Sequence, residues 1–233
     1  MQPSISVVLP AFNEEDNLAA TVANAVSALR QLGLEFEIVI VDDGSVDGTP
    51  RICRDLTRHD CVRVIRHERN RGYGAALRTG FNAARCDLVF FTDADGQFRF
   101  DQLPQFLAAI DKIDMVIGYR ADRRDPWHRR FNARVGNCIA RMFLGVRARD
   151  INCAYKLLCR ASLRELSLES EGAMINTELL ALAARAGWKI RELPVAHFPR
   201  KLGKATGATP SVIWRTALEF SLLLCAQCFD WIH

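Results

Sequence analysis

Two carboxylates separated by one residue, Asp93 and Asp95, follow the apolar run Leu88-Val-Phe-Phe-Thr. A strand buried on both faces ends there, so both side chains emerge into a crevice at a strand terminus. Close, partly desolvated carboxylates repel each other and resist ionisation. A hard divalent cation resolves that conflict, because Mg²⁺ or Mn²⁺ takes one or two carboxylates and completes its shell with water and phosphate oxygens. The pair therefore points to a metal-bound diphosphate substrate. A helix cap or turn is the competing use of so short a pattern, and the position after a buried strand favours the metal.

Two further polar clusters follow apolar runs in the same way. Asp42-Asp-Gly-Ser-Val-Asp-Gly48 comes after Glu37-Ile-Val-Ile-Val, and its Asp pair offers carboxylate acceptors to a base or ribose while Asp47 suits a helix cap. Pro10-Ala-Phe-Asn-Glu14 ends the first apolar run, where the Phe12 ring and Glu14 could wall a nucleoside or simply open a helix. The stretch Asn70-Arg-Gly-Tyr-Gly-Ala-Ala lacks the third glycine of a dinucleotide fingerprint, since Leu77 stands there, and it follows the third strand instead of the first. Its small residues permit a tight turn and close helix packing.

The elements that must hold these clusters are legible as an alternation. Residues 4–9, 36–41, 62–65, 88–92 and 115–117 read as short buried strands, and 17–32, 49–58, 75–84 and 102–110 carry helical spacing. Such alternation implies an α/β fold, a mostly parallel sheet with helices on both faces and its ligand crevice at the carboxyl ends of the strands. The three polar clusters then converge on one edge. Beyond residue 118 the alternation gives way to an Arg-rich stretch, a helix near 176–186, a strand at 189–193 and a basic loop. With no linker, repeat or low-complexity segment, residues 1–210 read as one catalytic domain and 211–233 as a C-terminal amphipathic helix.

With 49% apolar and 25% charged residues in 233, the chain has the balance of a folded domain, which excludes wholesale disorder. A net charge of +4 is too small to imply nucleic-acid binding. The excess is concentrated, however: nine arginines between 120 and 149 face only Asp122 and Asp125, a local net of +7, with Trp127, Phe131, Met142 and Phe143 interleaved. That mixture suits anionic headgroups, a solvated helix face or an oligomer contact. The last segment is interrupted by Arg215, Glu219 and Asp230, so it fits an interfacial helix or a core cover better than a span of roughly 20 apolar residues. The N-terminus carries no basic segment followed by a long apolar run, so an intracellular chain with most of its eight cysteines reduced is expected. Cys225 and Cys228 have no companion pair and read as packing residues.

Taken together the clusters resemble glycosyltransferase family 2, with its GT-A fold, and more closely its dolichol-phosphate mannosyltransferase and bacterial polyprenyl-phosphate glycosyltransferase branch. The motifs are Ser6-Val-Val-Leu-Pro-Ala-Phe-Asn-Glu-Glu, Val41-Asp-Asp-Gly-Ser-Val-Asp-Gly-Thr, Asn70-Arg-Gly-Tyr-Gly-Ala-Ala-Leu, Thr92-Asp-Ala-Asp-Gly-Gln and Gly118-Tyr-Arg. The resemblance implies a nucleoside site lined by Pro10, Phe12, Glu14, Val41 and Asp43. It implies that Asp93 and Asp95, with Ala94 between them, hold a diphosphate bound to Mg²⁺ or Mn²⁺, and that Gln97 is a further metal ligand. Arg120 would contact phosphates or sugar, and Arg200-Lys-Leu-Gly-Lys204 would close over the diphosphate. Where relatives often have Ser-Lys after that glycine, this chain reads Ala205-Thr206, so either Lys204 replaces the lysine or the contact is lost.

The expected reaction moves a hexose, with inversion, from GDP-mannose or a UDP-sugar. Asp95 and Arg120 would stabilise the leaving diphosphate, with help from Arg200 and Lys204. A hydroxyl acceptor needs a general base, for which Asp150 and Glu178 are candidates; a phosphate acceptor, anionic at neutral pH, does not. The Arg-rich stretch and the C-terminal helix favour a polyprenyl phosphate, met at the cytoplasmic face from the membrane surface, with a membrane-embedded partner or a second copy of the chain as companions. A soluble hydroxyl acceptor, a binding protein without turnover and nucleotidyltransferase chemistry are the rivals.

Overall fold

The computed structural model describes residues 3–121, 145–146, 148–200, 202 and 219. Strand β1 (Ile5–Ala11) is buried at every position, as its apolar run demands. It pairs in parallel with β2 (Phe36–Asp42) and β4 (Leu88–Thr92), and β3 (Val62–Arg66) extends the parallel set beyond β2. The other flank holds β5 (Met115–Arg120), β6 (Tyr155–Cys159) and β7 (Ile190–Val195), giving the order β3-β2-β1-β4-β6-β5-β7. Of these, β6 runs antiparallel to both neighbours and β7 parallel to β5.

Alternate residues of each strand feed two cores. On one face Val7, Leu9, Ile40 and Phe90 pack under α1 (Leu18–Gln31), α2 (Thr49–Leu56), a 3₁₀ turn (Phe100–Gln102) and α4 (Leu103–Ala109). On the other, Val8, Val41, Val89 and Phe91 pack under α3 (Tyr73–Ala83), α5 (Arg160–Leu163) and α6 (Ile175–Arg185). Each fully buried side chain of this size contributes roughly 1.5–3 kcal/mol, which fixes the strand ends and with them the polar clusters.

The strands and helices expected between residues 4 and 193 appear within a few residues of their predicted limits. The exception is β6, which the alternation did not reveal: it returns from the β5 side and inserts between β4 and β5. Cys53, Cys61, Cys86, Cys153 and Cys159 are free thiols. Among the described residues no helix is long and apolar enough to cross a membrane. The basic stretch at 122–144, Lys204 and, apart from Glu219, the C-terminal segment 211–233 lie outside the described residues.

Candidate active site

The ends of β1 and β2 are laced together by their own loops. Pro10 and Val41 are register partners at adjacent strand ends, and Phe12 lies half-buried just beyond. Asn13 adopts a left-handed backbone (φ 55°), which Asn tolerates better than most residues; its N–H donates to Ser45 Oγ at 2.9 Å and its Oδ1 accepts the Val46 N–H at 3.0 Å. Asp47 accepts the Thr49 N–H at 2.9 Å at the start of α2, while the cap position anticipated for it is taken by Gly48. Gly44, at φ 71°, passes so close to the next loop that a Cβ would stand 2.6 Å from the Asn70 nitrogen. Only glycine fits there.

Asp43 is almost wholly buried and serves the protein first. Its Oδ2 accepts the Gly72 N–H at 2.8 Å, while Oδ1 lies 2.9 Å from the Arg71 N–H and 2.6 Å from His67 Nδ1. It thereby fixes the start of α3 beside the end of β2. His67, which the sequence reading passed over, joins Asp43 to Thr79, 3.0 Å from its Nε2.

Beyond the end of β4, the neighbour of β1, Asp95 of the carboxylate pair approaches a cation. Arg200 Nη2 donates to Glu14 Oε2 at 2.6 Å, and its Nη1 lies 3.9 Å from Asp95 Oδ2. Asn17 Nδ2 supports Glu14 at 2.9 Å. Gln97 links the same regions: its Nε2 donates to the Phe198 carbonyl at 3.0 Å and its own carbonyl accepts the Phe198 N–H at 2.9 Å. Ala94 is buried, its carbonyl accepting from Thr21 Oγ1 at 3.1 Å. Glu14, Asp95 and Arg200 are thus brought together by three strand ends that are distant in sequence.

Burial raises the pKa of Glu14 and of Asp95, and burial with the Asp95 charge beside it pushes Asp93 up to about 7. Arg200 offsets this only in part for Glu14 and Asp95, and a hard cation with oxygen ligands relieves what remains. Asp93 and Asp95 therefore fit such an ion and are the residues that would hold it. No group of three or more metal-binding side chains occurs among the described residues. A separate cavity of about 720 Å³, walled by Gln102, Pro194, His197 and Phe198, contains none of these carboxylates. The chemistry, not the volume, locates the site.

On the β5 side, Arg120 and Asp150 are partners. Arg120 Nε donates to Oδ2 at 2.7 Å and Nη2 to Oδ1 at 3.0 Å, a bidentate pair that is largely buried. Asp150 is thereby an anchor for Arg120. Glu178, the other base candidate, sits in the first turn of α6 with both oxygens accepting backbone N–H groups, from Glu169 at 2.7 Å and Ser170 at 2.9 Å. Lys156, fully buried in β6, was not singled out from the sequence, although a lysine within Tyr-Lys-Leu-Leu-Cys was a visible signal. Of the basic run, Arg149 stacks over Tyr119 at 4.7 Å.

Known proteins resemble this chain in sequence and in fold. The undecaprenyl-phosphate 4-deoxy-4-formamido-L-arabinose transferase of Edwardsiella ictaluri is 33% identical over 204 residues, covering 86% of this chain and 62% of that protein. The dolichyl-phosphate beta-glucosyltransferase of Saccharomyces cerevisiae is 31% identical over 220 residues, covering 82% and 66%. The chain therefore spans less than two thirds of the length of these relatives. Among solved structures, glucosyl-3-phosphoglycerate synthase from Mycobacterium tuberculosis with Mn²⁺ and UDP-glucose gives a TM-score of 0.71 at 20% identity over 96% of this chain and 79% of that one. Mannosyl-3-phosphoglycerate synthase from Rubrobacter xylanophilus gives 0.74 at 15% identity over 97% and 75%. Both share its fold, the GT-A fold. The family model for Glycosyl transferase family 2 matches residues 6–169, from β1 through the Asp93–Asp95 pair and β6 to the loop before α6, and the chain belongs to that family.

Proposed function

We propose that this chain transfers a hexose, with inversion, from a nucleoside-diphosphate sugar such as GDP-mannose or a UDP-sugar to a polyprenyl phosphate at the cytoplasmic membrane face. The observation that carries the acceptor class is the state of the two candidate bases. Asp150 is held bidentately by Arg120, and both oxygens of Glu178 accept backbone N–H groups. A hydroxyl acceptor needs a base within reach of its proton. A phosphate acceptor arrives as an anion and attacks the anomeric carbon unaided, as the bond to the departing diphosphate breaks. The names of the family relatives, which act on undecaprenyl and dolichyl phosphates, support the same class.

Pro10, Phe12, Val41 and the Asp43 region receive the nucleoside in this reading, and Glu14 and Ala94 border the diphosphate. When bound, Mg²⁺ or Mn²⁺ draws charge from the leaving diphosphate, and Asp93, Asp95 and Gln97 are the residues that would hold it. Arg200 adds a cation on the β1 side and Arg120 one on the β5 side, with Lys204 following in the same loop as Arg200. The local +7 between residues 120 and 149, and the terminal amphipathic segment, support docking on an anionic bilayer.

The test is a matrix of sugar donors against acceptors with and without Mn²⁺, with Asp95→Ala as control. Transfer to polyprenyl phosphate, lost in the control, is the expected result. Transfer to a saccharide hydroxyl alone, abolished by Asp150→Asn or Glu178→Gln, would overturn the acceptor assignment.

A further inference from the structure

Beneath the carboxylate pair lies a charge that the proposed reaction does not use. Lys156 has no exposed surface and sits in β6 in register with Phe91 of β4 and Ile117 of β5. Its Nζ donates to the Cys153 carbonyl at 2.6 Å, to Asn176 Oδ1 at 2.7 Å and to the Ile151 carbonyl at 3.0 Å, above the Phe91 ring at 5.2 Å. An ammonium has three donors, and all three end on oxygens of the protein.

Burying an ammonium carries a desolvation cost of several kcal/mol, and apolar replacements of buried ions are often neutral or stabilising. Burial pulls the pKa of Lys156 down to about 8. Stability alone does not call for this residue, so its partners are informative. Ile151 and Cys153 belong to the turn that carries Asp150, and Asp150 holds Arg120. Asn176 is on α6, where it neighbours the buried hydroxyl of Tyr73, which in turn lies beside Asp93 without reaching full hydrogen-bond geometry to either. The ammonium thus bonds the turn that carries Asp150 directly and, through Asn176, borders the Tyr73 side of the carboxylate pair.

We propose that Lys156 is a positioning residue: its ammonium clamps the 150–154 turn to α6, so that Asp150 presents Arg120 at a fixed separation from Asp93 and Asp95. This rests on the sugar-transfer reading above. The clamp acts on turnover and leaves the nucleoside pocket, built from β1 and β2, unchanged.

The experiment compares the full-length chain with Lys156→Met, Asp150→Asn and the double variant. Lys156→Met is expected to bind nucleoside diphosphate and Mn²⁺ within about 3-fold of the parent by calorimetry while kcat falls roughly 30-fold. In the double variant, Asp150→Asn is expected to add less than about 3-fold, because both changes act through one arm. A kcat within 3-fold of the parent, parallel loss of nucleotide binding, or multiplicative effects in the double variant would overturn the clamp. Should Lys156→Met fail to fold, Asn176→Ala removes one acceptor only, with about a 5-fold fall in kcat expected and an unchanged kcat counting against the proposal. Amide exchange across residues 150–154 gives a readout independent of turnover, expected to quicken by about 10-fold in Lys156→Met. If the parent transfers no sugar to any polyprenyl phosphate, the functional reading fails. Equal exchange rates in parent and variant overturn the clamp separately.

Discussion

Arg200 and Glu14, 186 residues apart in the chain, meet through a guanidinium–carboxylate contact of 2.6 Å. The contact ties the loop after β7 to the end of β1 and brings the same guanidinium to 3.9 Å from Asp95. A cation therefore stands among carboxylates where the proposed donor carries its diphosphate. A diphosphate bound there would offer Arg200 the same bidentate geometry that a carboxylate does.

Replacing Arg200 by alanine removes this cation from both states. Transition-state charge on the leaving diphosphate then loses one donor group, an effect of order 10²-fold in kcat/KM, with partial recovery in Arg200→Lys, which keeps the charge but not the fork. Steady-state kinetics on the two variants measure it directly. Equal kcat/KM in Arg200→Ala and parent would remove Arg200 from the site.

Asp150→Asn separates an anchoring role from proton transfer. The amide keeps the shape of the side chain but not the charge that holds Arg120, so turnover is expected to fall by roughly 10–100-fold while the pH dependence of kcat keeps its form. Loss of the limb of the pH profile that reports a base, together with near-complete inactivity, would assign proton abstraction to Asp150 and with it a hydroxyl acceptor.

Asp93 makes the metal-free protein sensitive to pH. Its pKa in the fold lies near 7, raised first by burial and then by Asp95, against an ordinary 3.8. The folded state therefore holds the proton more tightly than the unfolded chain, and this contribution to stability is complete below about pH 4 and lost as pH rises through 7. Asp93→Asn cannot ionise. In chelator, it is expected to be more stable than the parent at pH 8, by an amount of order 2 kcal/mol after allowance for water in the crevice, and the gap should narrow as pH falls and close by about pH 4. Calorimetry at the two pH values decides; parallel pH dependence in both proteins contradicts the assignment.

What the sequence revealed of this site, and what it hid, follows from how each residue is held. Strands buried on both faces read as unbroken apolar runs, so β1, β2 and β4 and the polar residues at their ends were legible in order. β6 was not, because its place between β4 and β5 is set by antiparallel pairing across the sheet, and a buried lysine interrupts its run. Residue type gave the chemistry of Asp43, Asp150 and Glu178 but not their commitments. Those depend on His67, Arg120 and the 169–170 backbone, each placed by packing rather than by local spacing.

The closeness of α3 to the sheet yields a test of the scaffold itself. Gly80 lies on the buried face of α3, and a Cβ there would collide with Val8 Cγ1 and stand 3.4 Å from Val41 Cγ2. Val8 has no exposed surface and little freedom at χ1, so it cannot turn aside. Gly80→Ala should therefore destabilise the chain by about 1–3 kcal/mol despite the better helix propensity of alanine. Val8→Ala alone should also destabilise, by opening a cavity. Combined, the two changes should cost clearly less than their sum, because the added methyl fills the space that Val8 gives up. Urea denaturation of the four proteins measures the coupling. Additive losses would mean that α3 shifts bodily away from β1, and the start of that helix, held by Asp43, would shift with it.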